Sequence, residues 1–236
     1  MKAVIAPVPT ESLEKELTPE RFLRPTNNGG NEIYIVTAAD SPNLMREIGR
    51  LREVSFREGG GGTGADVDID ELDLDPEGYK QLIVWDPKAK EIVGGYRFIV
   101  SRTSHPKCFS TEHYFRFTDK FREEYLPYTI ELGRSFVQPH YQGSRANPKG
   151  LYSLDNLWDG LGALVLANPD IRYFFGKVTM YGTTAKPATC CSISCANIFR
   201  TATISSSRST PSNWTSTARR WKRCSTAAAI RRTTRS

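Results

Sequence analysis

No stretch of this 236-residue chain approaches the roughly 18 to 20 consecutive apolar residues that a membrane-spanning helix requires. The opening MKAVIAPVPTES also lacks an apolar run long enough for a secretory signal. A soluble, cytoplasmic body is therefore expected. Histidine is scarce, three in all, and His105, Cys108 and His113 have no metal-ligand spacing, so no metal is expected. There is no G-K-[ST] phosphate loop. The one glycine run, GGGGTG at 59–64, follows a helix-like segment and opens no helix, so a dinucleotide site fails on context and the run reads as a flexible loop. Ser135 in GRSFV is no nucleophile elbow, because Val137 stands where the second glycine is needed.

Acidic residues are missing from one end. Residues 182–236 hold 10 Lys+Arg and no Asp or Glu, a charge of +10, whereas residues 1–181 hold 22 against 26, a charge of −4. The basic end is rich in Ser, Thr and Ala, and four of the five cysteines lie in it. Its CCSISC has no zinc spacing. A disordered basic tail and a nucleic-acid-binding arm both fit its composition. A third account comes from the genetic code. Read in a shifted frame, Thr189 to Thr203 can encode D-M-L-L-Y-F-L-R-K-Y-F-P-D-R-D, an amphipathic helix with a stop signal. Residues 182–236 are therefore expected to be frameshifted and disordered, with the slip near Tyr181 or Gly182, and to carry no nucleic-acid function. The codons around 180–190 test this.

What remains divides into a lead-in, 1–31, and a domain, 32–181. In the lead-in, LTPERFLR suggests a short helix and PTNNGGN a turn. EIYIV at 32–36 reads as a strand. SPNLMREIGRLREVSF follows as an amphipathic helix with Ser41 as N-cap, Pro42 at its first position and Leu44, Met45, Ile48, Leu51, Val54 and Phe56 on one stripe. A long acidic loop comes next, then a hairpin about DPKAKE, the strand TIELGRSFVQ, the helix GLYSLDNLWDGLGALVLANP and the strand IRYFFGKVTMY. A hairpin between βα units predicts an α/β fold with a mixed sheet flanked by helices.

Two features carry chemistry. DVDIDELDLD places Asp66, Asp68, Asp70, Asp73 and Asp75 together without an EF-hand pattern. It reads either as a solvated acidic loop or as a carboxylate cluster holding a cation, whether a substrate amine or the domain's own arginines. Glu131 and Arg134 interrupt an apolar strand that ends at QGSRANPKGL. There Gly143, Arg145 and Lys149 precede a helix, a setting suited to a phosphate. A glutamate beside such a site can accept a proton from an attacking amine or position it.

The ELGRSFVQPHY strand, the NLWDGLGAL helix and the order of elements from about Glu32 to Tyr181 resemble the N-acyltransferase branch of the GNAT superfamily. The resemblance is to the acyl-carrier-protein-dependent, hemolysin-like enzymes that N-acylate ornithine or glycine in aminolipid synthesis. The N-acyl-homoserine-lactone synthases are more distantly similar. Their Arg and Phe four apart fall on Arg52 and Phe56, and their acidic triple on Asp68, Asp70 and Asp73. Their G-x-x-R falls on Gly94 and Arg97, and their E-x-x-R on Glu131 and Arg134. The tryptophan those synthases carry beyond the Arg–Phe pair is replaced here by the glycine run, and no S-adenosylmethionine pocket is recognisable.

The resemblance implies a GNAT-like, mostly antiparallel sheet whose C-terminal part is missing or out of frame. It further implies acyl transfer from acyl carrier protein or CoA to a small amino acid, with no tightly bound cofactor and a membrane-associated product, the protein itself at most peripheral. Glu131 and Arg134 are the expected catalytic pair. Arg52, Phe56, Asp68, Asp70, Asp73 and Arg97 are expected to shape the substrate cleft, and Gly143, Arg145 and Lys149 to hold the phosphopantetheine phosphate or the carrier. A lactone-synthase-like enzyme and a basic-tail nucleic-acid-binding protein are the alternatives.

Overall fold

The computed structural model of the chain describes residues 1–101, 109–142 and 148–179, together with two strand segments, 191–196 and 231–232. The element order is α1 (Thr10–Glu14), β1 (Phe22–Pro25), β2 (Glu32–Val36), α2 (Pro42–Glu58), α3 (Glu71–Leu74), β3 (Lys80–Asp86), β4 (Glu91–Val100), β5 (Phe115–Arg116), β6 (Thr129–Val137), α4 (Ser153–Ala167), β7 (Tyr173–Thr179), β8 (Cys191–Ala196) and β9 (Arg231–Arg232). Seven strands form one sheet in the order β1-β2-β3-β4-β6-β7-β8. Every neighbouring pair is antiparallel except β6 and β7, which run parallel across the α4 crossover. This is the mixed, mostly antiparallel sheet expected of the sequence. β5 pairs separately with β9. Apart from β8 and β9, the expected tail lies outside the described residues.

Alternation along the strands assigns the two faces. Leu82, Val84, Tyr96, Phe98 and Ile130 meet Leu157 and Leu164 of α4 on one side. Ile83, Trp85, Ile92 and Phe136 meet Leu44, Met45, Ile48 and Leu51 of α2 on the other. A third, largely aromatic cluster gathers Tyr79, Ile99, Phe109, Phe117, Phe121 and Phe175. No helix among the described residues is long and apolar enough to cross a membrane.

The lead-in differs from expectation. LTPERFLR does not form a helix: it turns and enters β1, whose pairing with β2 is continued by the Ile35 amide bonding the Arg21 carbonyl. Ladder bonds to an available sheet edge outweigh the weak local helix preference of so short a segment. Ser41 holds the N-cap position of α2 but makes no capping bond, its hydroxyl donating to Asp40 instead. The Glu16 carboxylate, from the lead-in, accepts from the Asn43 and Leu44 amides at 3.0 and 2.8 Å. A carboxylate there also suits the positive end of the helix dipole.

Candidate active site

On an unbroken strand, residues three apart point to opposite faces, which would separate Glu131 from Arg134. The register with β4 shows why it does not. Arg97 pairs with Gly133 and Gly95 with Phe136, so two steps of β4 match three of β6. The extra residue is a β-bulge, and Arg134 within it has a φ of 52°. Bulges re-aim side chains in this way, and both residues turn to the α2 face. Gly94 and Gly95 permit the tight crossing, since a Cβ on either would lie 2.5 Å from a carbonyl oxygen of the adjacent strand, that of Phe136 or Leu82. The left-handed conformation costs an arginine about 1 to 2 kcal/mol. The bonds its guanidinium gains offset that cost.

Arg134 Nη1 lies 2.6 and 2.7 Å from the two oxygens of Asp68, and Nη2 lies 3.1 Å from Asp70. Arg97 Nη1 reaches Asp70 at 2.7 Å and Asp73 at 3.2 Å. Arg52 Nη1 sits 3.2 Å from both Asp73 oxygens, while Gln81 donates to Asp73 at 2.9 Å and accepts from Arg52. The acidic loop is thus no solvated loop but a carboxylate cluster holding three of the domain's own arginines. It also contains α3, closed by a reciprocal capping box in which Asp70 accepts from the Asp73 amide and Asp73 from the Asp70 amide.

The side chains of Arg52 and Asp73 are fully buried, whereas Asp70 and Arg134 are 32% and 29% exposed. The network therefore opens to solvent at one acid and one base. Burial disfavours ionisation of Asp70, but the Arg97 hydrogen bond and the charges of Arg97 and Arg134 outweigh it and hold the pKa at about 2.

Glu131 occupies a separate cradle. It is 1% exposed and accepts three hydrogen bonds, from Tyr79 Oη at 2.6 Å, Ser110 Oγ at 2.9 Å and the Thr111 amide at 3.1 Å. Burial raises its pKa above the ordinary carboxylate value, against the lowering effect of those donors. Arg97 joins the two clusters, its guanidinium lying 4.6 Å from the centre of the Tyr79 ring.

Of the expected site residues, Arg52, Asp68, Asp70, Asp73, Arg97 and Arg134 come together, with Glu131 one side chain away. Phe56 does not join them and packs against the apolar cluster under α2. Gly143 and Arg145 lie outside the described residues, and Lys149 belongs to a 3₁₀ turn, Pro148–Tyr152. Tyr79, Gln81, Ser110 and Thr111 are members that sequence reasoning missed. Gln81 was within reach, because the alternation of β3 puts it on the same buried face as Ile83 and Trp85.

The glycine run is not the free loop expected of it. The Glu53 carboxylate on α2 accepts from the Thr63 amide and hydroxyl, the Gly64 amide and Arg57. Burial opposes its ionisation, but the Thr63 hydroxyl, Arg57 and the two amides lower its pKa to about 2. A carboxylate depressed in the fold stabilises it above the unfolded pKa, and that contribution disappears as pH falls. Between pH 6 and pH 3 the wild type should therefore lose about 2 kcal/mol more than Glu53→Gln. Urea unfolding at the two pH values measures the difference, and equal losses would refute it.

Residues 51–149 match the family model of the Acetyltransferase (GNAT) domain. Over 186 residues, 77% of this chain, it is 55% identical to a glycine N(alpha)-acyltransferase of Phocaeicola vulgatus and 56% identical to one of Bacteroides thetaiotaomicron. It spans 57% and 55% of their respective lengths, a little over half of each relative. Among solved structures, the AHL synthase LasI aligns with a TM-score of 0.43 and 14% identity, over 63% of this chain and 72% of that one. The bulged strand, the carboxylate–arginine network and the Glu131 cradle all lie within residues 51–149, the stretch that matches the GNAT acetyltransferase domain.

Proposed function

We propose that the chain is an N-acyltransferase moving a fatty acyl group from a phosphopantetheine thioester, on acyl carrier protein or CoA, to the amine of glycine. The activity for which those relatives are named supports the acceptor. The observation that carries the chemistry is the placement of Glu131, a buried carboxylate of raised pKa, in the one parallel pairing among the described strands of the main sheet. The β6–β7 ladder ends at Leu132 and Gly176, although β6 continues to Val137 and β7 to Thr179. A thioester carbonyl entering between the diverging strands would meet backbone groups able to stabilise a tetrahedral oxyanion.

The amine nitrogen attacks the carbonyl carbon, the N–C bond forms and the C–S bond breaks. The nitrogen's proton goes to Glu131, and the thiolate leaves and is protonated. Arg134 and Asp70, the exposed end of the network, match the carboxylate and ammonium of an amino acid. Gly143, Arg145 and Lys149 are proposed for the phosphopantetheine phosphate.

The test is mass-spectrometric detection of N-acylglycine after incubation with palmitoyl carrier protein or palmitoyl-CoA and a panel of glycine, ornithine and other amino acids. Product with glycine is expected. No acylated amine from either donor would overturn the proposal.

A further inference from the structure

We propose that Tyr79 is a positioning residue for Glu131, fixing which carboxylate oxygen receives the proton and binding the cradle to the arginine network. Three observations carry this. First, the two oxygens of Glu131 are unequally engaged. Oε1 accepts two hydrogen bonds, from Ser110 Oγ and the Thr111 amide, whereas Oε2 accepts one, from Tyr79. A carboxylate oxygen has two lone pairs, so Oε2 is the oxygen with a position left for a proton.

Second, the Tyr79 hydroxyl cannot turn freely. Its oxygen accepts from the Ser110 amide at 2.8 Å, which directs its own proton to Oε2. Third, the Tyr79 ring is 1% exposed and is stacked by Arg97, itself held by Asp70 and Asp73. A shift of the network is thus transmitted to the carboxylate through one ring.

Among the described residues, the groups facing Glu131 are few. Tyr79 precedes β3, and Ser110 and Thr111 belong to the 3₁₀ turn Ser110–His113. Its ladder neighbours are Ile99 on β4 and Phe175 on β7, neither of them titratable. The charged β4 side chain packed here, Arg97, lies over the Tyr79 ring. Among the described residues, Tyr79 is therefore the main side chain controlling the carboxylate.

Only the rate readout depends on the proposed acyl transfer. The titration of Glu131 is followed by ¹³C NMR of carboxyl-labelled glutamate, its signal assigned by disappearance in Glu131→Gln. In Tyr79→Phe the midpoint is expected to rise by about one to two pH units, the shift that loss of a hydrogen bond to a charged group implies. The acid limb of the acyl-transfer pH profile should rise with it. Tyr79→Phe also strands the Ser110 amide, so 3-fluorotyrosine at position 79 provides a variant of nearly the same shape. Its more acidic phenol should lower the midpoint. A midpoint unchanged in both variants overturns the inference. Midpoints that move in a wild type and variants that transfer no acyl group sustain it and reject the acyl-transfer reading.

Discussion

Asp73→Ala should cost the fold about 3 to 5 kcal/mol, the amount typical of removing one partner from a buried ion pair. No other carboxylate of the network has so many obligations. Asp73 accepts from Arg52, Gln81 and the Asp70 amide, forms an ion pair with Arg97, and has a fully buried side chain. Alanine leaves Arg52 without a carboxylate partner and opens the capping box of α3. A domain's whole stability is about 5 to 15 kcal/mol, so the variant should fold marginally at 37 °C. Asp70→Ala removes a partly exposed carboxylate and should cost clearly less. Urea denaturation of both variants checks the ranking, and a loss under about 1 kcal/mol at Asp73 would contradict the buried-charge account. A double replacement, Arg52→Met with Asp73→Leu, should recover part of the loss, because it leaves fewer charges unpaired.

Much of this architecture was legible in the sequence, and what was not has identifiable causes. The amphipathic stripe of α2 and the DPKAKE hairpin were readable because helix and strand periods differ and each is strong there. The acidic triple and the arginines were legible only as residue types. Composition could not say whether Asp68, Asp70 and Asp73 face water or Arg52, Arg97 and Arg134, since that depends on where α2, β4 and β6 place three distant segments. The β-bulge at Arg134 was hidden for a related reason: a left-handed arginine has no local signature, and only the register with β4 reveals it. Glu53 was missed because its partners lie in a glycine run whose composition signals freedom. Tyr79 and Ser110 were invisible for want of any pattern. Tyr79 lies just before β3 and Ser110 in a 3₁₀ turn, and only the fold brings them to Glu131.

Glu131→Gln should lower kcat/KM for acyl transfer by about 10²- to 10⁴-fold, the usual contribution of a positioned general base, with little change in unfolding midpoint. The two halves of that expectation rest on different physics. Glutamine keeps the shape, and its amide oxygen can still accept from Ser110 Oγ and the Thr111 amide. Its nitrogen can donate to the Tyr79 oxygen, at the price of redirecting that hydroxyl's proton. The linkage sign favours the variant as well. A carboxyl whose pKa is raised in the fold stabilises the fold at low pH and loses that contribution as pH rises through the folded value. At a pH above the folded value the ionised Glu131 is therefore a cost that the neutral amide removes. For catalysis the same raised pKa acts in the opposite direction. Wild-type activity should fall as pH drops through a midpoint above the ordinary carboxylate value, and Glu131→Gln should lack that acid limb altogether. Wild-type rates with an unchanged profile would remove Glu131 from proton transfer and leave it the anchor that ties Ser110 and Thr111 to β6.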